Sequence, residues 1–544
     1  MADFSNDPNE NIWGTPTILT DLSFVQIGGQ WIPNSQTDRL STYQQNRKLF
    51  ESKHELVYKD WVRLLRDDQQ ATMRLIFNWH KRLSVLWADL LLGEPPKFSV
   101  PGKEIAVGDK DGDGDQDIDN PNQDALDRIR EDNSLDLVAY EVAIDVSRFG
   151  TGVFKVRFVP GKTAIIEPVN PSLWFPVVHP DNVKDVIAHV IAWDFKVPKA
   201  GMPGVIAKIG IGAEYDVHMK CEIHEKGKIT YREFLVKDGR LSSLLSEFEE
   251  ETNIDDFLIV PVHNLVTTDR ATGLDDYTDI DSIVQELEIR ASQIARILDK
   301  HSDPSMYGPA TALIKDKATG QMVIRGGGQF YPLEHGDSPP GYVVWDGQLE
   351  SAFKEFDTLM EQLYFLSETS PAAFGQLKSG LAESGSALRR LMMAALAKVN
   401  RIRMRFDPAL KNVLFLASQL ELQQRLKGAV DLTNESITID WQDGLPRDEQ
   451  EVTNVEVERY TAGLSSLESS VRRLYNLEGD ALQDEVERIK EEKAANSVVP
   501  PAQPMVVPPL HDKPDNKGQN FNQTPTNPLK GGDPLTPPVK PKGA

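Results

Sequence analysis

The sequence predicts an α+β protein of more than one subdomain, on three observations. A chain of 544 residues, 40% of them hydrophobic, exceeds what one ordinary core organises. Several long stretches repeat apolar residues at three and four, the spacing of amphipathic helices. From Phe149 to about Val266, by contrast, Pro and Gly break the chain into short β-branched and aromatic runs.

The first helix lies in "DDQQATMRLIFNWHKRLSVLWADLLLGEPP", where Leu75, Trp79, Leu83, Leu86 and Leu90 share a face and Pro95-Pro96 ends the run. An acidic stretch, "DKDGDGDQDIDN" (Asp109–Asn120), precedes a short helical segment from Asp124. "TGVFKVRFV", "TAIIEPV", "LWFPVV" and "VIAHVIAWDFKV" read as strands of a mixed or antiparallel sheet, and a hairpin turns at Lys226-Gly227. "LDDYTDIDSIVQELEIRASQIARILDKH" then sets Ile280, Ile283, Val284, Leu287, Ile294, Ile297 and Leu298 on one stripe. With Asp and Thr at its start, it predicts a rod of ~28 residues, roughly 40 Å long.

A Gly/Pro-punctuated segment with two or three strands follows, and a second helix begins near Leu349, with Ala352, Phe353, Phe356, Leu359, Met360 and Leu363 on its apolar face. A small-residue loop separates it from the longest helical stretch, inside which Pro408 predicts a kink. "SITIDW" reads as a strand, and the charged run behind it as two or more helices, one starting at a capping box of Ser465 and Glu468. Twelve of the 35 prolines lie between Pro500 and Pro541, which predicts a disordered tail over 494–544.

Charge and cysteine content narrow the function classes. A net charge of -24 repels nucleic acid on average, so any DNA contact must be local or weak. Cys221 is the only cysteine, which excludes an intrachain disulfide framework and fits a reducing compartment. The polar, acidic N-terminus carries no secretory signal, and no run of ~18 apolar residues predicts a membrane span.

Candidate chemistry is sparse. Asp109, Asp111, Asp113, Asp115 and Asp117 match the oxygen-ligand spacing of an EF-hand loop through its ninth position. The match fails at position twelve, which is Asn120, and Pro121 argues against a helix continuing directly. The stretch therefore reads as a solvated acidic loop, with a calcium site at 109–120 as the alternative and no other cofactor implied.

"FVPGKTAII" lacks the first glycine of a phosphate loop, and Gly326–Gly328 precedes no helix, so both read as turns. His218, Cys221 and His224 form an H-x2-C-x2-H run, but positions three apart on a strand face opposite sides. Arg389, Arg390, Lys398, Arg401, Arg403, Arg405 and Lys411 are opposed locally only by Asp407. They read as cations paired with acidic neighbours, or else as a positive girdle around a polyanion. No paired acid–base or nucleophile motif predicts a catalytic site.

In its order of elements the chain resembles the portal proteins of tailed bacteriophages over roughly residues 40 to 493. The resemblance is carried by "NWHKRLSVLWADLLLGEPP", "FLSETSPAAFG", "SGSALRRLM" and "WQDGLPRDEQEVTNVEVERYTAGLSS". It implies a wing of helices and β-rich structure over 1–270, stem helices over 271–301 and 349–366, and a β-containing clip over 302–348. It further implies a tunnel loop over 367–385, a kinked long helix over 386–425, a strand returning to the wing over 426–446, and crown helices over 447–493.

The implied function is a ring of about twelve copies at one capsid vertex, a non-enzymatic conduit for packaging and ejecting double-stranded DNA. Implied partners are the terminase large subunit, the major capsid and scaffolding proteins and a head-completion adaptor, with no membrane. The implied location is the virion, after assembly in the host cytoplasm. The resemblance would put Gln376, Lys378, Ser379, Gly380 and Ser384 at the DNA channel, along with the small residues Ala372 and Ala373. It would put Ile283, Leu287, Ile294, Phe353 and Phe356 in packing between stem helices of the ring. The competing readings are another virion structural protein, such as a minor head protein or adaptor, and an intracellular metal-dependent enzyme.

Overall fold

The computed structural model describes residues 18–58, 75–101, 105–106, 118–159, 163–199, 215–302, 306–307, 313–315, 320–324, 335–336, 339, 341–342, 349–376, 385–433, 436–442, 449–475, 477 and 479–496. They fall into two compact units, one ending at Val452 and one starting at Thr453. The aspartates from Asp109 to Asp117, Pro160-Gly161, the Gly326–Gly328 triplet, residues 377–384 of the small-residue loop and the Pro-rich tail from 497 lie outside the described residues.

The first unit opens with α1 (Thr37–Phe50) and α2 (Trp79–Leu92). The Asn78 side chain accepts from Lys81 N and starts α2 there, so Leu75, placed on this helix by its spacing, precedes it. Short strands β1 (Lys97–Ser99), β2 (Ile105–Ala106) and β3 (Ile118–Asp119) lead to α3 (Pro121–Asp132). Here the expectation about Pro121 is corrected: proline opens the helix instead of blocking it. The first helical position needs no N–H partner, and the Asn120 side chain caps the turn by accepting from Gln123 N. The helix α4 (Leu135–Phe149), absent from the expected elements, follows directly.

Eight strands come next: β4 (Thr151–Arg157), β5 (Ile165–Val169), β6 (Trp174–His179), β7 (Asn182–Pro198), β8 (Tyr215–Glu225), β9 (Lys228–Lys237), β10 (Arg240–Glu251) and β11 (Ile259–His263). They form a three-stranded sheet in the order β11-β4-β5 and a five-stranded one in the order β10-β9-β8-β7-β6, antiparallel throughout. One hairpin turns at Lys226-Gly227. A second turns at Asp238-Gly239, where φ is +49° and +70°, the left-handed pair that a tight hairpin needs. The N-terminal segment lays Leu19, Phe24 and Val25 on the five-stranded sheet.

The rod expected from Leu274 is shorter. Asp275 Oδ1 accepts from Tyr277 N and Thr278 N, which spends these residues in a turn, and α5 runs Asp281–Ser302, 22 residues or ~33 Å. Leu298, assigned to its buried stripe, is exposed. The strands β12 (Met306–Tyr307) and β15 (Gly341–Tyr342) pair, as do β13 (Leu313–Lys315) and β14 (Met322–Ile324). There follow α6 (Leu349–Leu366), α7 (Gly385–Leu391), α8 (Met393–Gln423) and β16 (Thr438–Asp440), which pairs with β1.

The main core joins α2, α3, α4 and α8 with the small sheet and the base of α5 and α6. Val399, Ile402, Phe406, Leu410, Val413 and Leu414 carry α8 through it, and Pro408 sits inside a helix that continues past it. Glu421, fully buried on α8, accepts from both Arg128 amino groups and from Ala164 N, so the carboxylate is compensated on each side.

The second unit begins within α9 (Glu449–Thr461) and continues through α10 (Leu467–Tyr475) and α11 (Gly479–Asn496), around Val471, Leu482 and Val486. Ser466, not Ser465, caps α10, because its Oγ accepts from Ser469 N at 3.1 Å; Glu468 instead pairs with Arg472.

Candidate functional site

The loop between α6 and α7 springs from a rigid base. At the end of α6, Thr369 N donates to Tyr364 O (2.9 Å) and Glu368 N to Phe365 O (3.2 Å). Glu368 itself has φ +56°. These are the paired bonds of a Schellman ending, with glutamate in the left-handed position that glycine usually fills. Ser367 Oγ caps from inside, donating to Leu363 O at 2.7 Å, and lies 2.8 Å from Thr369 Oγ1.

A 3-10 turn, Pro371–Phe374, follows and closes on Gly375 at φ +76°, with Gln376 N donating to Pro371 O. Phe374 stands edge-on to Trp79 with ring centroids 5.0 Å apart, and Tyr364 completes the aromatic wedge. Ala372 and Ala373 pack against the main core. Both are half-buried and seat the base of the loop in its own chain.

The carboxylate of Glu368 connects this base to the interior. Arg401 donates to it at 2.5 Å and Lys398 approaches within 3.8 Å. Lys398 Nζ also donates to Asp276 Oδ1 at 2.8 Å and lies 4.5 Å over the Trp87 ring. Asp276 accepts further from Asn264 and Ser147, both at 2.7 Å. Ser147 and Tyr277 meet at Ser84, so one polar chain runs from the loop base through α8 and α4 to α2.

Two more pairs, one buried and one half-buried, fasten the start of α5. His54 Nδ1 lies 2.6 Å from Glu288 Oε1, which also accepts from Phe77 N, and His80 Nε2 lies 2.8 Å from Asp281.

Of the loop residues singled out from sequence, Gln376 is exposed at the rim, whereas Lys378, Ser379, Gly380 and Ser384 lie outside the described residues, as do Asp109, Asp111, Asp113, Asp115 and Asp117. Ile294 is buried, and Ile283, Leu287 and Phe356 pack in the chain's own core; of the five stem residues only Phe353 is exposed. The basic run follows its plainer reading where partners are seen: Lys398 with Asp276, Arg401 with Glu368 and Lys411 with Asp407.

Sequence reasoning missed Trp79, Glu368 and Asp276 as parts of this base. For Glu368 no local signal existed, since nothing in "SETS" announces a left-handed residue.

Among the described residues, no three His, Cys, Asp or Glu side chains converge as metal ligands. Cys221 is buried, and burial pushes its thiol up to about 12; His218 pairs with Glu233 on the other face of β8. Burial also lowers His189 to about 3 and His263 to about 4, His263 with help from Arg405 and Lys184. No described helix is long and apolar enough to cross a membrane.

No curated protein sequence matches the chain. A family model described as "Phage portal protein, SPP1 Gp6-like" matches residues 30–498. With a match over most of its length, the chain belongs to the SPP1 Gp6-like family of phage portal proteins.

Proposed function

We propose that this portal protein assembles as a ring of about twelve copies at one capsid vertex and serves as the conduit through which DNA is packaged and ejected. The family match over residues 30–498 carries this reading. Membership in a structural, non-enzymatic family supports a structural role in the virion. In the proposal, α5 and α6 are the stem, and residues 302–348 are the clip that receives the terminase large subunit and later a head-completion adaptor. Residues 447–493 form the crown, while outer surfaces meet the major capsid and scaffolding proteins.

The loop over 367–385 is the tunnel loop in this reading, its first residues held by the Schellman ending and the Phe374 wedge. Lys378 places a ring of charges near the phosphates. Weak and sequence-blind contact suits a sliding duplex, because a tight phosphate clamp would stall transport. The net negative charge of the chain has the same anti-sticking effect.

Native mass and negative-stain imaging test the ring: about twelve copies of a 60.8 kDa chain give a particle on the order of 700 kDa with a central hole. Lys378→Ala and Lys378→Glu should leave rings intact and change DNA packaging or retention. Loss of rings in these variants would instead make the loop a subunit contact.

A further inference from the structure

Two exposed helix ridges of opposite charge lie on either side of the loop. On α6, Phe353, Asp357, Glu361 and Phe365 follow one another at four-residue steps, all exposed, with Phe353 at 48% and Phe365 at 76%. On α8, Met393, Ala397 and Arg401 form a similar ridge with Met404 beside it; Met393 is 71% and Met404 72% exposed. Arg390 on α7 continues that ridge and is exposed. The opposite face of α8 is spent on the core through Ala395, Val399, Ile402 and Phe406, and nothing among the described residues covers Met393 or Met404. Large apolar side chains in line along a helix, half to three-quarters in water, mark a contact surface rather than scattered surface residues.

We propose that the α6 ridge of one copy docks on the α7–α8 ridge of the next, head to tail around the ring. The inference rests on the ring reading above and names the faces that close it. Charge selects the occupant and the symmetry. The α6 ridge sets carboxylates, Asp357 and Glu361, between its phenylalanines, and the α7–α8 ridge sets guanidinium groups, Arg390 and Arg401, among its methionines. A two-fold pairing of either ridge with itself sets like charge on like. A heterologous pairing of the two sets carboxylate on guanidinium, and such an interface generates rings when its rotation closes. Geometry agrees: a ridge at four-residue spacing fits the groove beside another of the same kind, and Ala397 leaves room for a close crossing. Arg401 keeps its bond to Glu368 in this arrangement, so the subunit contact lies against the anchor of the loop.

Cysteine cross-linking of the full-length protein tests the pairing, because buried Cys221, its thiol pushed up to about 12, stays silent. Chains carrying Phe353→Cys or Phe365→Cys are co-expressed with chains carrying Met393→Cys or Met404→Cys, and rings are isolated by mass before oxidation. At least one of the four pairings should give covalent mixed dimers, up to about half of all chains at equal mixing in a head-to-tail ring. Each variant alone should give none.

Rings without mixed dimers in all four pairings overturn the proposal and leave the ring standing. Same-site dimers from a single variant overturn it in favour of two-fold contact. Particles that never exceed a monomer or dimer overturn the ring reading on which it rests. A charge exchange checks the polarity: Glu361→Lys should raise the protein concentration needed for assembly about tenfold, and adding Arg390→Glu should restore it. No restoration counts against the pairing.

Discussion

Replacing Glu368 separates two quantities that the loop base combines. Its φ of +56° is a left-handed conformation that costs a residue with a side chain roughly 1–2 kcal/mol. Glycine relieves that cost, at the expense of about 0.5–1 kcal/mol of extra freedom in the unfolded chain. Either variant loses the Arg401 pair at 2.5 Å, whose side chains are 49% and 39% exposed and which is worth about 0.2–1 kcal/mol.

Glu368→Ala should therefore destabilise by up to about 1 kcal/mol, because the pair goes and the strain stays. Glu368→Gly should be about 1 kcal/mol more stable than the alanine variant. Urea unfolding of both variants, extrapolated linearly to water, reads the difference. A glycine variant no more stable than the alanine one refutes the left-handed ending. The same glycine variant tests the function of the anchor: with stability matched to wild type, unchanged DNA retention per head would show that Glu368 does not position the loop.

Three further outcomes follow from the same geometry. Lys398→Met strands Asp276, whose side chain is 6% exposed, and should cost about 3 kcal/mol. That is the low end for a broken buried pair, since Asn264 and Ser147 still donate to the carboxylate. Adding Asp276→Asn should recover more than half of the loss in urea unfolding. Burial holds His263 down to about 4, so as pH falls from 6.5 the unfolded chain takes a proton that the folded one refuses. Stability should then fall between pH 6.5 and 4 by up to ~1.4 kcal/mol per unit for this residue, and His263→Gln should flatten the slope accordingly. Calcium at millimolar concentration should leave the melting temperature unchanged, because Asn120, the twelfth position of the acidic loop, already caps α3; a rise of several degrees would assign the site.

What the sequence made legible was whatever repeats. The stripe Val284, Leu287 and Ile294 marks α5 because burial on one side of a rod imposes its own period. Lys226-Gly227 marks a hairpin because few residues tolerate its backbone. The loop base was illegible for a different reason: its parts are single residues that have meaning only across long separations. Lys398 finds Asp276 over 122 positions and His54 finds Glu288 over 234, and no local pattern announces either. The strand β10, rich in Ser and Glu, escaped because an exposed edge strand need not alternate, even though Asp238-Gly239 stood before it. Pro121 misled because proline breaks helices everywhere except at their first turn.

The two ends of segment 377–384 are built of unlike materials. Its entry is a post: a helix end locked by crossed backbone bonds, a hydroxyl cap and an aromatic wedge driven against Trp79. Its exit is continuous: α7, two turns long, passes into the 31-residue α8 through Met392, which departs from helical geometry (φ −98°, ψ 10°) yet still donates to Leu388 O and accepts from Leu396 N. Both ends of the segment are therefore tied by backbone bonds, the entry to a closed helix end and the exit to a helix that carries on into the main core.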